Sequence, residues 1–133
     1  MKTSKSFIFW FALFAISFIV YQQVIDNIRP NYIGNNVIIK YLLGIAPNFF
    51  PAIGIPALFV VLIPQMKMTT IWFNEKKHLT ANIISLTGLI TWEFIQTTST
   101  RLHFDRNDVL WTIIGAVFFQ LIWTLTPGRY KEE

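Results

Sequence analysis

The stretch YLLGIAPNFFPAIGIPALFVVLIPQM, Tyr41 to Met66, runs for 26 residues without an Asp, Glu, Lys or Arg. A helix needs about 20 mostly apolar residues to cross a hydrocarbon core roughly 30 Å thick, so this stretch is long enough to span a bilayer. Working outward from it, Phe7 to Ile25 and Val109 to Gly128 are also free of charge, and Leu79 to Thr100 contains only Glu93. Four such segments and their connections use up the 133 residues. The reading is an all-α, polytopic membrane helical bundle, one membrane domain over 1–133 with four transmembrane helices at 7–25, 41–66, 79–100 and 108–126.

Composition agrees. The chain is 53% hydrophobic, 17% aromatic and 14% charged, too apolar for a soluble domain of this size. Its formal charge of +4 invites a nucleic-acid reading, but no dense basic run interleaves with aromatics outside the hydrophobic segments, so the expected partner is the lipid bilayer and not nucleic acid. Cysteine is absent, which excludes disulfides, thiolate metal sites and a lipid-modified cysteine. Lys2 and Lys5 ahead of an apolar run imitate a signal peptide; that run is long and no A-x-A-like cleavage site follows it, so a retained helix is expected.

With the amino terminus inside, the inner segments hold Lys2, Lys5, Lys67, Lys76, Lys77, Arg129 and Lys131, against Arg29, Lys40, Arg101 and Arg106 outside. Seven against four favours both termini in the cytoplasm. Trp10 and Tyr21 then lie near the two interfaces that amphipathic rings prefer, and Ser17, the central polar group of the first span, can bond back to its own helix. The asparagine-rich loop from Gln22 to Lys40 is expected to turn in the headgroup region, with room for a short interfacial helix. His78, ending the charged inner loop that begins at Gln65, reads as a solvated residue.

Inside the second span, Pro47, Pro51 and Pro56 argue against one regular helix, because each interior proline removes a donor and crowds the carbonyl four residues earlier. Either Pro47 sits in the first turn, Pro51 closes that turn and Pro56 kinks the helix, or Gly44 to Pro56 forms a broken helix lining a cavity. In the third span Asn82, Ser85, Glu93 and Gln96 share a face that should turn toward other helices, with Gly88 and Thr91 near it. Glu93, ionisable inside a span, is a functional-site candidate by default. In the fourth span Asp108, Thr112 and Gly115 form a stripe that can face the third, and Gly115 permits close approach. Asp105 and Asp108 also resemble a capping box.

These residues carry a resemblance. Trp92-Glu93-x-x-Gln96, then Phe104-Asp105-x-x-Asp108-Val109-Leu110-x-Thr112-x-x-Gly115-Ala116, with Pro47-Asn48-Phe49 in the second span, resembles the VanZ-like family of small bacterial membrane proteins, named for a teicoplanin-resistance factor. The similarity covers Gly44 to Trp123 and is strongest at E-x-x-Q, D-x-x-D and the glycine seven residues after the second aspartate. It implies several helices in the bacterial cytoplasmic membrane, a link to the cell envelope, and Glu93, Gln96, Asp105, Asp108 and Gly115 as motif positions. Thr112 departs from it, standing where the family often has asparagine. The family's resistance phenotype belongs to few members and is not carried over.

Topology would gather Asn48, Glu93, Gln96, Asp105 and Asp108 at the outer face. The first functional expectation is an outer-face polar pocket that binds a lipid-linked or glycopeptide-type ligand or modulates access to it. A second is a membrane-embedded enzyme using paired carboxylates as acid and base on an envelope lipid or glycan. A third is a small proton-coupled transporter working through Glu93; without an internal repeat it would need a homo-oligomer for alternating access. Ser99, His103 and Asp105 have the residue types of a hydrolytic triad, and Glu93, His103, Asp105 and Asp108 those of a metal site. No recognisable nucleophile-and-base motif supports the triad, no metal is assigned, and the sequence names no cofactor.

Overall fold

The structure, a computed structural model, describes residues 4–66, 75–99 and 104–131. These are helical almost throughout. Helix α1 runs Lys5–Asn31, with a π-helical turn at Val24–Ile28. Helix α2 is Val37–Leu62 and continues as a 3-10 turn, Ile63–Met66. Helix α3 is Lys77–Ser99 and helix α4 is Arg106–Leu125. The starts of α1, α2 and α4 follow from capping chemistry: Ser4 Oγ accepts from the Phe7 amide at 3.0 Å, Asn36 Oδ1 from Ile38 and Ile39 at 3.0 and 3.2 Å, and Asp105 Oδ1 from Asn107 at 2.8 Å.

Two sequence expectations change here. The loop expected between Gln22 and Lys40 shrinks to 32–36, because α1 stays helical through Asp26 and Arg29 and the Asn36 cap starts α2 ahead of Tyr41. The three prolines sit inside one continuous helix, neither in a first turn nor at a break. Starting at Val37 puts Pro47 ten residues into the helix, so all three proline rings are interior and are tolerated where side chains and neighbouring helices surround the freed carbonyls.

Helix α2 is central. It packs against α1, α3 and α4, and α3 packs along α4, whereas α1 and α3 make no extended contact. Around Trp10 all four helices meet in a core that includes Ala57, Val60, Ala81 and Phe119. Trp10 is fully buried. The carbonyl of Tyr130 accepts its indole N–H at 2.8 Å, and Trp123 stacks on its ring at 5.0 Å, so this ring needs no water. His78, expected in solvent, is half-buried at the start of α3, edge-on to Trp123 at 4.6 Å between centroids. Both described chain ends lie at this core-filled end of the bundle.

The surface is more apolar than that of a soluble domain. Ile8, Ile16, Ile19, Phe94, Val117 and Leu121 are exposed, while Ser6, Ser17, Asn82, Ser85, Thr112 and Thr126 are buried. Small and polar residues at helix contacts with large apolar ones outside suit packing in lipid. Among the described residues, α1, Val37–Met66 and α4 are long and apolar enough to cross a membrane. Helix α3, of 23 residues, carries the polar stripe.

Candidate functional site

Close approach of the backbones decides where the cavity lies. A methyl group on Gly115 would fall 2.6 Å from Ala52 Cβ and 2.7 Å from the Phe49 carbonyl oxygen, and one on Gly54 would fall 2.8 Å from Ser17 Cβ. Glycine at these two positions lets α4 and α1 press against opposite flanks of α2. The stripe Asp108, Thr112, Gly115 meets α2 at Gly115, against Ala52 and Phe49, while Asp108 and Thr112 line the cavity together with Glu93 and Gln96 of α3. Between α3 and α4, Asn82 Nδ2 donates to the Ala116 carbonyl at 2.9 Å and Gln120 Nε2 to the His78 carbonyl at 3.4 Å. Ser17 serves as the small partner of Gly54.

Beyond these contacts, toward the end opposite the Trp10 core, the helices enclose a cavity of ≈ 810 Å³. Its wall follows α1 from Phe14 through Phe18, Tyr21 and Ile25 to Arg29, about 20 Å at 1.5 Å per residue. Phe18, Ile25 and Arg29 share one side of α1 at spacings of seven and four. From α2 come Gly44, Pro47, Asn48, Pro51 and Gly54, one helical face at spacings of three and four. The cavity thus has an apolar, aromatic floor and a charged mouth. Arg29 and Lys40 stand there with Glu93, Asp105 and Asp108, and these charges are near enough for Asp105 and Asp108 to act on Glu93 and Arg29 on Asp108.

At the mouth the side chains hold one another. Asn48 Nδ2 donates to Asp108 Oδ1 at 2.8 Å, tying α2 to α4. Trp111 Nε1 donates to the Tyr41 hydroxyl at 2.8 Å, and that hydroxyl donates to Asn107 Oδ1 at 3.1 Å. Thr112 bonds back to the Asp108 carbonyl at 2.9 Å. The capping reading divides: Asp105 caps α4, and Asp108 turns its carboxylate to Asn48.

Of the sequence-derived candidates, Asn48, Glu93, Gln96, Asp105, Asp108 and Thr112 all line the cavity. Gly115 lies outside it and sets the helix spacing that forms it. Arg29, Lys40 and Tyr41 also line it and are not among those candidates, and Trp92, which opens the Trp92-Glu93-x-x-Gln96 motif, lines it as well. The signal for Arg29 was present: Tyr21, Ile25 and Arg29 recur every four residues, but the helical reading stopped at Ile25. His103 lies outside the described residues, as does the side chain of Ser99, so the triad and the His-containing metal set lie there too. Among the described residues no three His, Cys, Asp or Glu side chains form a group that could hold a metal ion. No family model, curated protein or solved structure matches this chain.

Proposed function

We propose that this chain is a four-span protein of a bacterial cytoplasmic membrane, with both termini inside, whose outward-facing cavity binds a lipid-linked or glycopeptide-type amphiphile and modulates access to it at the cell envelope. The observation that carries this reading is the ≈ 810 Å³ cavity, which joins a mouth bearing both signs of charge to an aromatic, apolar interior. Its size falls within the range of about 300–1,000 Å³ usual for small-ligand sites. An amphiphile matches both halves; a free ion or a small sugar would leave Phe14, Phe18 and Phe50 without a partner. The motif that resembles VanZ-like proteins points the same way, since its polar positions are the ones at the mouth. The fourth span is supported by α3, whose 23 residues extend about 35 Å beside α4.

Gly44 provides the test. It lines the cavity, and a methyl group added there meets nothing within 4 Å. Gly44→Leu should fill the cavity without disturbing the helix contacts. Gly88 is equally open but lies on the exposed side of α3, so Gly88→Leu is the matched control. Native mass spectrometry of the purified protein with bound lipid or lipoglycopeptide should show about a tenfold loss of retention for Gly44→Leu and none for Gly88→Leu. Equal retention by all three proteins would refute a ligand in this cavity.

A further inference from the structure

The cavity has a side as well as a mouth. Phe14, Ser17 and Phe18 of α1 and Leu89, Trp92 and Glu93 of α3 line it from opposite flanks, yet these two helices do not pack along each other. The back wall is α2, which packs against both. A gap between two helices at hydrocarbon depth admits acyl chains, because water is excluded there and the flanking Phe18 and Trp92 are themselves exposed on the outer surface.

The charges at the mouth narrow the headgroup. A purely anionic ligand would meet Glu93, Asp105 and Asp108, and a purely cationic one would meet Arg29 and Lys40. A ligand carrying both signs a few ångströms apart is the one that every charged group in the lining can favour. Arg29 offers a planar fork suited to phosphate oxygens. On the other side are carboxylate acceptors, with Asp108 held in position by Asn48. A primary ammonium brings three donors to such acceptors, whereas a quaternary ammonium brings none.

Resting on the reading that the cavity binds an amphiphile, we propose that its occupant is an amino-phospholipid that enters sideways between α1 and α3, its phosphate at Arg29 and Lys40 and its primary ammonium at Glu93 and Asp108. Both acyl chains lie in or beside the gap. The headgroup occupies the charged end, so the lipid need not leave the membrane to bind.

The experiment uses the full chain in detergent with equimolar phosphatidylethanolamine, phosphatidylcholine and phosphatidylglycerol of identical acyl chains, and reads retention by native mass spectrometry. Phosphatidylethanolamine should be retained about tenfold over each of the others. Glu93→Gln should bring it down to the level of phosphatidylcholine with phosphatidylglycerol unchanged, and Arg29→Gln should weaken all three alike. The diacyl form should be retained at least as well as its single-chain counterpart; retention of the single-chain form alone would overturn the side opening. Equal retention of the three headgroups by the wild-type protein would overturn the headgroup assignment and leave the cavity reading standing, and that comparison needs no variant to fold. Retention of none of them, with a lipoglycopeptide retained and displaced by Gly44→Leu, would overturn this proposal alone; retention of neither class would overturn both readings.

Discussion

Gly115 and Gly44 carry the same side chain for opposite reasons. At Gly115 an added methyl meets a side chain and a backbone carbonyl of α2 within 2.7 Å, and the carbonyl cannot move without moving the helix. Gly115→Ala should therefore lower stability by about 1–3 kcal/mol, the usual cost of overpacking. At Gly44 the methyl meets nothing, so Gly44→Ala should raise stability by about 0.5–1 kcal/mol through helix propensity alone. Thermal unfolding in one detergent would give both signs, and a neutral Gly115→Ala would mean that α2 and α4 separate easily. Asp105 offers a second residue-scale contrast. Asparagine caps about as well as aspartate, so Asp105→Asn should be nearly silent and Asp105→Ala should cost about 1 kcal/mol. The sequence made the Asp105 cap and the close approach at Gly115 legible because both follow from local rules. It did not disclose the partner of Asp108, since Asn48 lies 60 positions away and only the packing of α2 against α4 joins them.

At the scale of elements, α2 departs furthest from expectation. Propensity counts each interior proline as a break, yet Pro47, Pro51 and Pro56 lie in one helix because flanking helices hold it from several sides. The three do different things. Pro47 and Pro51 lie on the cavity face and deprive the carbonyls of Leu43 and Pro47 of their helical donors, leaving acceptors beside Asn48. Pro56 is among the largest fully buried side chains. Alanine in its place restores an amide but leaves a void beside the core. Pro51→Ala should hold or raise the unfolding midpoint, while Pro56→Ala should lower it; circular dichroism during heating reads both, and a loss for Pro51→Ala would mean that its bend is needed for α1 or α4 to dock. Helix α1 shows the complementary error. Asp26 and Arg29 read as loop charges because a span was expected to end where charge begins, but a helix can continue past the hydrocarbon edge and carry its charges to the mouth of a site.

For the whole molecule, the order of helices was legible from charge spacing alone, because four apolar lengths joined by short polar connections fold most simply into neighbouring antiparallel helices. Whether α3 crosses the bilayer turns on the faces that it presents. Helix α3 falls short of its neighbours in apolarity, since Asn82, Ser85, Glu93 and Gln96 occupy one of its faces. That face is turned inward: Asn82 and Ser85 are buried, and Glu93 and Gln96 line the cavity, leaving Ile83, Ile84, Phe94 and Ile95 outside. The outer surface of α3 is thus more apolar than its composition. Four crossings require reporters fused after Gln65 to Lys77 and after Arg129 to behave as cytoplasmic, and reporters fused between Thr100 and Arg106 as external. If α3 did not cross, the last two would exchange sides, with the 100–106 fusion cytoplasmic and the carboxyl-terminal fusion external. That exchange would also place the mouth residues Glu93 and Asp105 on the cytoplasmic side while Arg29 and Lys40 stayed outside. The cavity that unites them could not then exist in the membrane, so one set of fusions tests the topology and the site together.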